Sequence, residues 1–397
     1  MTNRHGSSYY LLDVAKVKAN IAHFESAFLS RRPNTIFSYS YKTNYIPQVC
    51  KAIRAAGWLA EVVSEMEFDF ALNFGNEAER IIVNGPIKSR QQLERYLKAG
   101  SIVHLDSAQE VRDVLEISEL LEKKARVGVR CNFSCGEAVS RFGIDAESDE
   151  LAACIQSLLD HGNVEIVGLH CHFPNRDLAS YKVRAESMAK IFCDFPALQS
   201  CYIDIGGGFF GNMPESLANQ FADEVPTFDQ YAEAISTVLD HTGLVDVPIL
   251  LEPGSAIVAD SMQFAAQIQS VKEIRGKTFA TVAGSRFNLG SFASKLNLPL
   301  TIFGSSENPR TSRADADIVG FTCIEGDVLF RGFEGEFDVG DIAVFDNVGS
   351  YSYVFKPPFI RPNSPILVYD SSVESSDVAV SKRRELPEDI LATFEEF

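Results

Sequence analysis

"FSYSYKTNYIPQ", residues 37–48, is an aromatic run that stops at a lysine. The alternation of rings and serines over 35–42 reads as a β-strand. Asn44 and Pro47 punctuate it before a helical pattern over 45–56. The same unit then recurs. Apolar runs stand at 59–63, 80–85, 101–107, 126–132, 164–172, 201–208 and 248–254, nearly all followed by an amphipathic stretch such as AQEVRDVLEISELLEKK. Strands apolar on both faces that alternate with helices belong to a parallel sheet. Eight of them over about 220 residues predict a (β/α)8 TIM barrel.

The texture changes after residue 260. FAAQIQSVKEI, KTFATVAG, DIVGFTCI, VLFRG, DIAVFDNVG and ILVYD are short strand-like runs separated by turn residues. The chain therefore reads as α/β: a barrel over 14–258, then an all-β domain over 259–397. The early run YYLLD, within 7–13, is expected to add a strand to that second domain. The tail SKRRELPEDILATFEEF reads as a short helix.

Composition narrows the partners. A net charge of −18 disfavours nucleic acid and anionic membrane, which repel an acidic surface. Hydrophobic content of 46% and charged content of 23% are those of a soluble globular protein. No apolar run approaches the roughly 18 residues of a membrane span. MTNRHGSSYY lacks the apolar core of a secretory signal. The eight cysteines are scattered and read as reduced thiols, so a cytoplasmic protein is expected. Cys131 and Cys135 have no second pair at metal-site spacing, and no metal is expected.

In such a barrel the chemistry sits at the C-terminal strand ends. Lys42 is there, and a desolvated lysine is an amine able to form a Schiff base; a lysine snorkelling to water is the plain alternative. Asp204 is followed by Gly206, Gly207 and Gly208, a run that lets backbone amides cradle an anion, or simply turns a loop. Glu252, before Pro253 and Gly254, offers a carboxylate to a ring nitrogen, or a surface ion pair. His170 and His172 fall on one strand face and suit zinc, a flat stacked ring, or packing. Amine, anion cradle, acid and flat ring together are the requirements of pyridoxal phosphate.

The order of motifs carries a resemblance over almost the whole chain. A lysine on the first strand, SEME, HCH, DIGGG, EPG, then FTCIEGD and NVGSYSY, resembles the alanine-racemase-fold (fold-type III) pyridoxal phosphate decarboxylases. The branch is that of the diaminopimelate, ornithine and carboxynorspermidine decarboxylases. The resemblance implies that Lys42 is the Schiff-base lysine and that His172 stacks on the pyridine ring. Gly206, Gly207 and Gly208 would hold the phosphate, Glu252 would pair with the pyridine nitrogen, and Arg130 would support the cofactor. Asn175, Gly254 and Ser255 fall in the matching cofactor-binding loops. Tyr351 would lie near the phosphate. Cys323 matches the cysteine contributed by a partner subunit, and is the expected proton donor at Cα. A homodimer with shared active sites, acting on a small-molecule amino acid substrate, is implied as well.

Three departures bear on the substrate. Phe173-Pro174-Asn175 stands where Gly-Ser usually follows the second histidine. Ser255 follows EPG where an arginine is usual, and Ile324 follows Cys323 where an acid reads the substrate's distal amine. An aliphatic side chain cannot accept hydrogen bonds from an ammonium. A modified or conjugated amino acid of a specialised pathway is therefore expected. A racemase on the same fold, a regulatory homologue without cofactor, and a metal hydrolase using His170 and His172 are the competing readings.

Overall fold

The computed structural model describes residues 2–290, 295–304, 310–374 and 377–395, without the side chains of residues 2 and 3. The chain divides into two compact units, residues 20–210 with 225–256, and residues 1–19 with 211–224 and 257–397.

The strands of the first unit close on themselves. After β1 (Ser8–Asp13), which belongs to the second unit, come β2 (Ile36–Ser40), β3 (Leu59–Val62), β4 (Ile81–Val83), β5 (Ile102–Leu105) and β6 (Ala125–Asn132). The two-residue β7 (Ile144–Asp145) pairs only with the end of β6. β8 (Val164–His170), β9 (Tyr202–Asp204) and β10 (Ile249–Leu251) complete the ring. Closure sets Val103 of β5 opposite Val127 of β6, and Leu250 of β10 opposite Ile36 of β2. The barrel thus has eight parallel strands.

Burial explains why these segments are strands. β4, β5, β9 and β10 are buried along their whole length. Ile82, Ile102, Tyr202 and Leu250 pack as one cluster. Each of the three aliphatic side chains contributes about 1.5–3 kcal/mol when fully buried. The helices then start at fixed points. Ser64, Ser107 and Asp177 accept the first-turn amides of Glu67, Glu110 and Ser180. Each cap contributes about 1 kcal/mol. They leave short stretches between strand end and helix, and those stretches carry the polar residues.

The first strand is shorter than its pattern suggests. It ends at Ser40, and Tyr41–Thr43 form a 3-10 turn that carries Lys42. Asn44 stops the turn by accepting the Ile46 amide at 3.0 Å, and the Tyr39 hydroxyl ties down the Asn44 carbonyl at 2.9 Å. Pro47 then opens the helix Pro47–Ala55, where its missing N–H costs nothing.

The second unit is mostly sheet. β11 (Met262–Ile274), β12 (Lys277–Val282), β13 (Leu300–Phe303), β14 (Thr311–Val319), β15 (Val328–Phe337), β16 (Ile342–Phe345), β17 (Ile366–Tyr369) and β18 (Ala379–Lys382) form it with β1. β1 lies between β11, antiparallel, and β17, parallel. Tyr9, Ala265, Val344 and Leu367 form a core cluster there. β13 and β18 are absent from the sequence reading because both are half-exposed four-residue strands; Pro299 cuts β13 short, and β18 has only Ala379 and Val380 as apolar residues. The run at 317–324 also divides: β14 ends at Val319, and residues 321–324 bend away as a turn that holds Cys323. Of the tail, Pro387–Leu391 is helical, and residues 396–397 lie outside the described residues. No helix among the described residues is long and apolar enough to cross a membrane.

Candidate active site

The barrel's strand ends assemble a compact polar layer. Lys42 Nζ lies 2.9 and 2.6 Å from the two carboxylate oxygens of Glu61 and 3.1 Å from Ser40 Oγ. Glu61 stands mid-strand in β3 and is wholly buried. The Ser40 hydroxyl donates to the same carboxylate. Across this pair, Asn84 Nδ2 donates to Glu61 Oε1 at 2.9 Å and to Glu252 Oε1 at 2.6 Å. Glu252 is buried, and its other oxygen lies 3.5 Å from His170 Nε2.

A second group of side chains surrounds Glu252. His170 stacks on His104 with ring centroids 4.8 Å apart, and His104 Nε2 meets the Tyr202 hydroxyl at 2.8 Å. His104, His170, Asp204 and Glu252 bring one ligand-type atom each within 4.8 Å of one another. Burial drives the imidazoles of His104 and His170 well below their ordinary pKa, so both are neutral. Burial, then the nearby Glu252 carboxylate, pushes Asp204 well above the carboxylate range, so it holds a proton. Glycines make the room. A Cβ on Gly128 would lie 2.3 Å from the His104 ring, and one on Gly168 2.1 Å from the Tyr202 ring.

The glycine run has a division of labour. Gly206 and Gly208 hold φ of +75° and +98°, which side-chain-bearing residues rarely adopt. A Cβ on Gly207 would meet the Glu252 carbonyl at 2.3 Å. The Gly206 amide donates to Asp204 Oδ1 at 2.8 Å, and the Gly207 amide to His172 Nδ1 at 3.1 Å. His172 is therefore a neutral imidazole carrying its proton on Nε2; burial lowers its pKa as well. Gly206 and Gly207 thus shape the turn, and the Gly208 amide is left without a hydrogen-bond acceptor among the described residues. Arg184, fully buried in the helix Leu178–Asp194, donates to the carbonyls of Gly207, Phe173 and Asn175 and holds the cradle closed.

Around this layer, Arg130 donates to Asp106 at 2.8 Å and to the His172 carbonyl at 3.4 Å. Gly254 is forced, since a Cβ there would lie 2.1 Å from Thr43 Oγ1. Ser255 is buried at the start of the helix Ser255–Val258. Asn175 is exposed on the loop after β8. The expected alternation of the two histidines stops short: β8 ends at His170, which packs inward on His104, while His172 lies beyond the strand. Lys42, Arg130, His172, Asn175, Gly206, Gly207, Gly208, Glu252, Gly254 and Ser255 all belong to the barrel unit, and Cys323 and Tyr351 to the sheet unit.

In the sheet unit Cys323 is exposed. Asp327 pins its turn, accepting from Ser285 Oγ at 2.9 Å, the Arg286 amide at 2.8 Å and Thr322 Oγ1 at 2.6 Å. Tyr351 sits at φ +52° with its ring 5.8 Å from that of Phe355. A hollow of about 400 Å³ is lined by Phe287, Phe321, Ile324, Phe355 and Phe359, among others, with no carboxylate among its lining residues.

Sequence reasoning passed over Glu61 and Arg184. Both carried a signal: a lone carboxylate inside the apolar run LAEVV, and an arginine on the stripe of Tyr181, Ala185 and Met188. Asp327 carried none beyond its place in the CIEGD motif.

An amine beside a buried carboxylate, a glycine cradle and a second buried acid at the ends of barrel strands define a cofactor-binding barrel enzyme. Residues 14–259 match the family model for the pyridoxal-binding domain of the pyridoxal-dependent decarboxylases, and the chain belongs to that family. It is 25% identical to the diaminopimelate decarboxylase of Aquifex aeolicus (strain VF5), over 96% of this chain and 90% of the relative. It is likewise 25% identical to that of Helicobacter pylori, over 99% and 96%. Among solved structures, diaminopimelate decarboxylase from Helicobacter pylori complexed with L-lysine superposes with a TM-score of 0.85 at 24% identity, over 98% of this chain and 97% of that one. Lysine/ornithine decarboxylase complexed with putrescine from Vibrio vulnificus gives 0.72 at 20%, over 90% and 92%.

The cofactor of this enzyme is pyridoxal phosphate, and the enzyme is a carboxy-lyase acting on an amino acid. The residues present fit that group. Glu252 is a buried carboxylate whose neighbours are the Asn84 amide, the neutral His170 ring and the protonated Asp204 carboxyl. No lysine or arginine pairs with it among the described residues, so it would be available to a ring nitrogen. The Gly208 amide, in a turn at φ +98°, would be free to donate to a phosphate oxygen.

Proposed function

We propose that the enzyme removes the α-carboxylate of an amino acid whose distal end carries no free ammonium, such as a modified or conjugated one. The observation that carries the decarboxylase chemistry is the Lys42–Glu61–Asn84–Glu252 layer. Lys42 tethers the cofactor, and Glu61 holds its ammonium in place until then. His172, fixed by the Gly207 amide, presents a flat ring, and the Gly208 amide, with Asn175 and Ser255, serves the phosphate. Arg130, fixed between Asp106 and the His172 carbonyl, would support the cofactor. Glu252 keeps the ring nitrogen protonated, which favours loss of carbon dioxide over simple racemisation. Bound pyridoxal phosphate supplies the electron sink for carbon–carbon cleavage. Cys323 and Tyr351 complete the site from a second copy of the chain in a homodimer, and Cys323 returns a proton to Cα. The enzyme works in the cytoplasm.

The substrate reading rests on Ile324 and the hollow it lines. Ile324 and Phe359 are 37% and 44% exposed, and none of the lining residues could accept an ammonium's hydrogen bonds through a carboxylate. An ammonium here would meet the hydroxyls of Ser285 and Thr322 but no opposing charge, with Lys356 also on the lining, whereas an acyl or aryl group would gain from burial. Carbon dioxide release from matched pairs tests this: lysine against Nε-acyl-lysine, and diaminopimelate against a chain of equal length without the second amine. Higher kcat/KM for the uncharged members is expected. Equal or better turnover of the free diamines would overturn the substrate reading and leave the decarboxylase intact.

A further inference from the structure

Asn84 occupies a place no motif assigns. Its side chain is buried between two carboxylates, and its single amide group donates one hydrogen to each, at 2.9 and 2.6 Å. The orientation is dictated by the neighbours. Turning the amide over would set its oxygen against two acceptors, and ionised carboxylates only accept. The consequence is visible on the other side of the group: Asn84 Oδ1 is buried without a hydrogen-bond partner. An unmet buried acceptor costs about 1–3 kcal/mol, and two charge-assisted bonds, each stronger than a neutral one, offset it. The backbone holds the residue there. Its amide donates to the Val62 carbonyl at 2.8 Å, and Gly85, at φ +107°, turns the chain so tightly that a Cβ would lie 2.9 Å from the Val63 carbonyl.

We propose that Asn84 is a positioning residue that ties the carboxylate holding Lys42 to the carboxylate facing the cofactor's ring nitrogen, so that the two charges are set together. The layer contains one ammonium, Lys42, for two acids, Glu61 and Glu252; neutral His170 and protonated Asp204 also face Glu252, and Glu67 lies near Glu61 and Lys42. Without a neutral double donor between them, both carboxylates turn toward the one cation. The lysine would then hold its proton more tightly, and Glu252 would lose its shortest hydrogen bond. With Asn84 in place, Glu61 serves the lysine and Glu252 stays available to the ring. The inference rests on the cofactor roles of Lys42 and Glu252 proposed above.

The test uses the full chain loaded with pyridoxal phosphate. The absorption band of the bound cofactor is titrated with pH in wild type, Asn84→Asp and Asn84→Ser. Aspartate keeps the size but has no hydrogens to give when ionised; serine has one hydrogen for two acceptors. The band's pH midpoint is expected to rise by about one unit or more in Asn84→Asp, roughly a tenfold change in proton affinity, and by less in Asn84→Ser. kcat is expected to fall with KM little changed. A merely structural role would lower the melting temperature and leave the midpoint where it was. Midpoints within about 0.2 units of wild type in either variant that folds would overturn the proposal, since that is under 0.3 kcal/mol. A wild-type protein with no cofactor band would bring down the cofactor roles and this inference together; a normal band in wild type with unmoved variants brings down this inference alone.

Discussion

At the barrel's strand ends the polar groups are buried and closely partnered, whereas the hollow of the sheet unit is open and apolar. In the first region Lys42, Glu61, Asn84 and Glu252, on the barrel strands or just beyond them, are joined by distances of 2.6 to 2.9 Å. In the second, Phe355 is 68% exposed and Ile324 37% exposed. The contrast separates chemistry from selection. Groups that carry charge through a reaction must be preorganised, because moving them costs free energy at the moment of reaction. Groups that select a substrate need only match its surface, and can change without disturbing the first set.

The largest effect that would break this contrast lies at the lysine. Lys42→Ala is expected to lose turnover by about 10³-fold or more, as removal of a covalent catalyst does, with folding retained in thermal melting. Glu252→Gln keeps the shape and removes the charge; a drop in kcat of about 100-fold is expected, the size seen when one electrostatic stabiliser is lost. Ile324→Glu sharpens the other half. It is expected to shift the kcat/KM ratio toward amino acids with a distal ammonium by about tenfold, a single charged hydrogen bond's worth, while the cofactor spectrum stays unchanged.

A smaller effect concerns stability. Glu67, at the rim in the helix Glu65–Asn73, accepts the Val63 amide at 2.9 Å, yet burial pushes its pKa up to about 7. In the unfolded chain it ionises near 4.5. Between those values the folded state holds a proton that the unfolded state has released. Stability therefore falls as pH rises from about 4.5 to about 7, by roughly 3 kcal/mol from this group, and is level above. Denaturant melts of Glu67→Gln should lose that slope and gain relative stability at pH 8; an unchanged slope would place the proton elsewhere.

Much of the barrel was legible in the sequence because parallel strands are apolar on both faces, so 80–85 and 101–107 stand out without any alternation to decipher. The polar layer was legible only by type. Lys42, His172, Glu252 and the glycines announce their chemistry. Their pairing through Glu61 and Asn84 joins β2, β3, β4 and β10, and register across four strands is not written in any local stretch. Lys42 also illustrates a limit of periodicity, since a 3-10 turn replaces the last two strand positions expected for it. In the sheet unit β13 and β18 escaped notice because each is a half-exposed strand of only four residues, too short for its pattern to stand out.

The account stands most directly on the tether at Lys42. Purified protein incubated with pyridoxal phosphate, reduced with borohydride, digested and weighed by mass spectrometry should carry the pyridoxyl group on the peptide containing Lys42, and Lys42→Ala should carry none there. A reduced group on a different lysine, or none at all in wild type, would contradict the account.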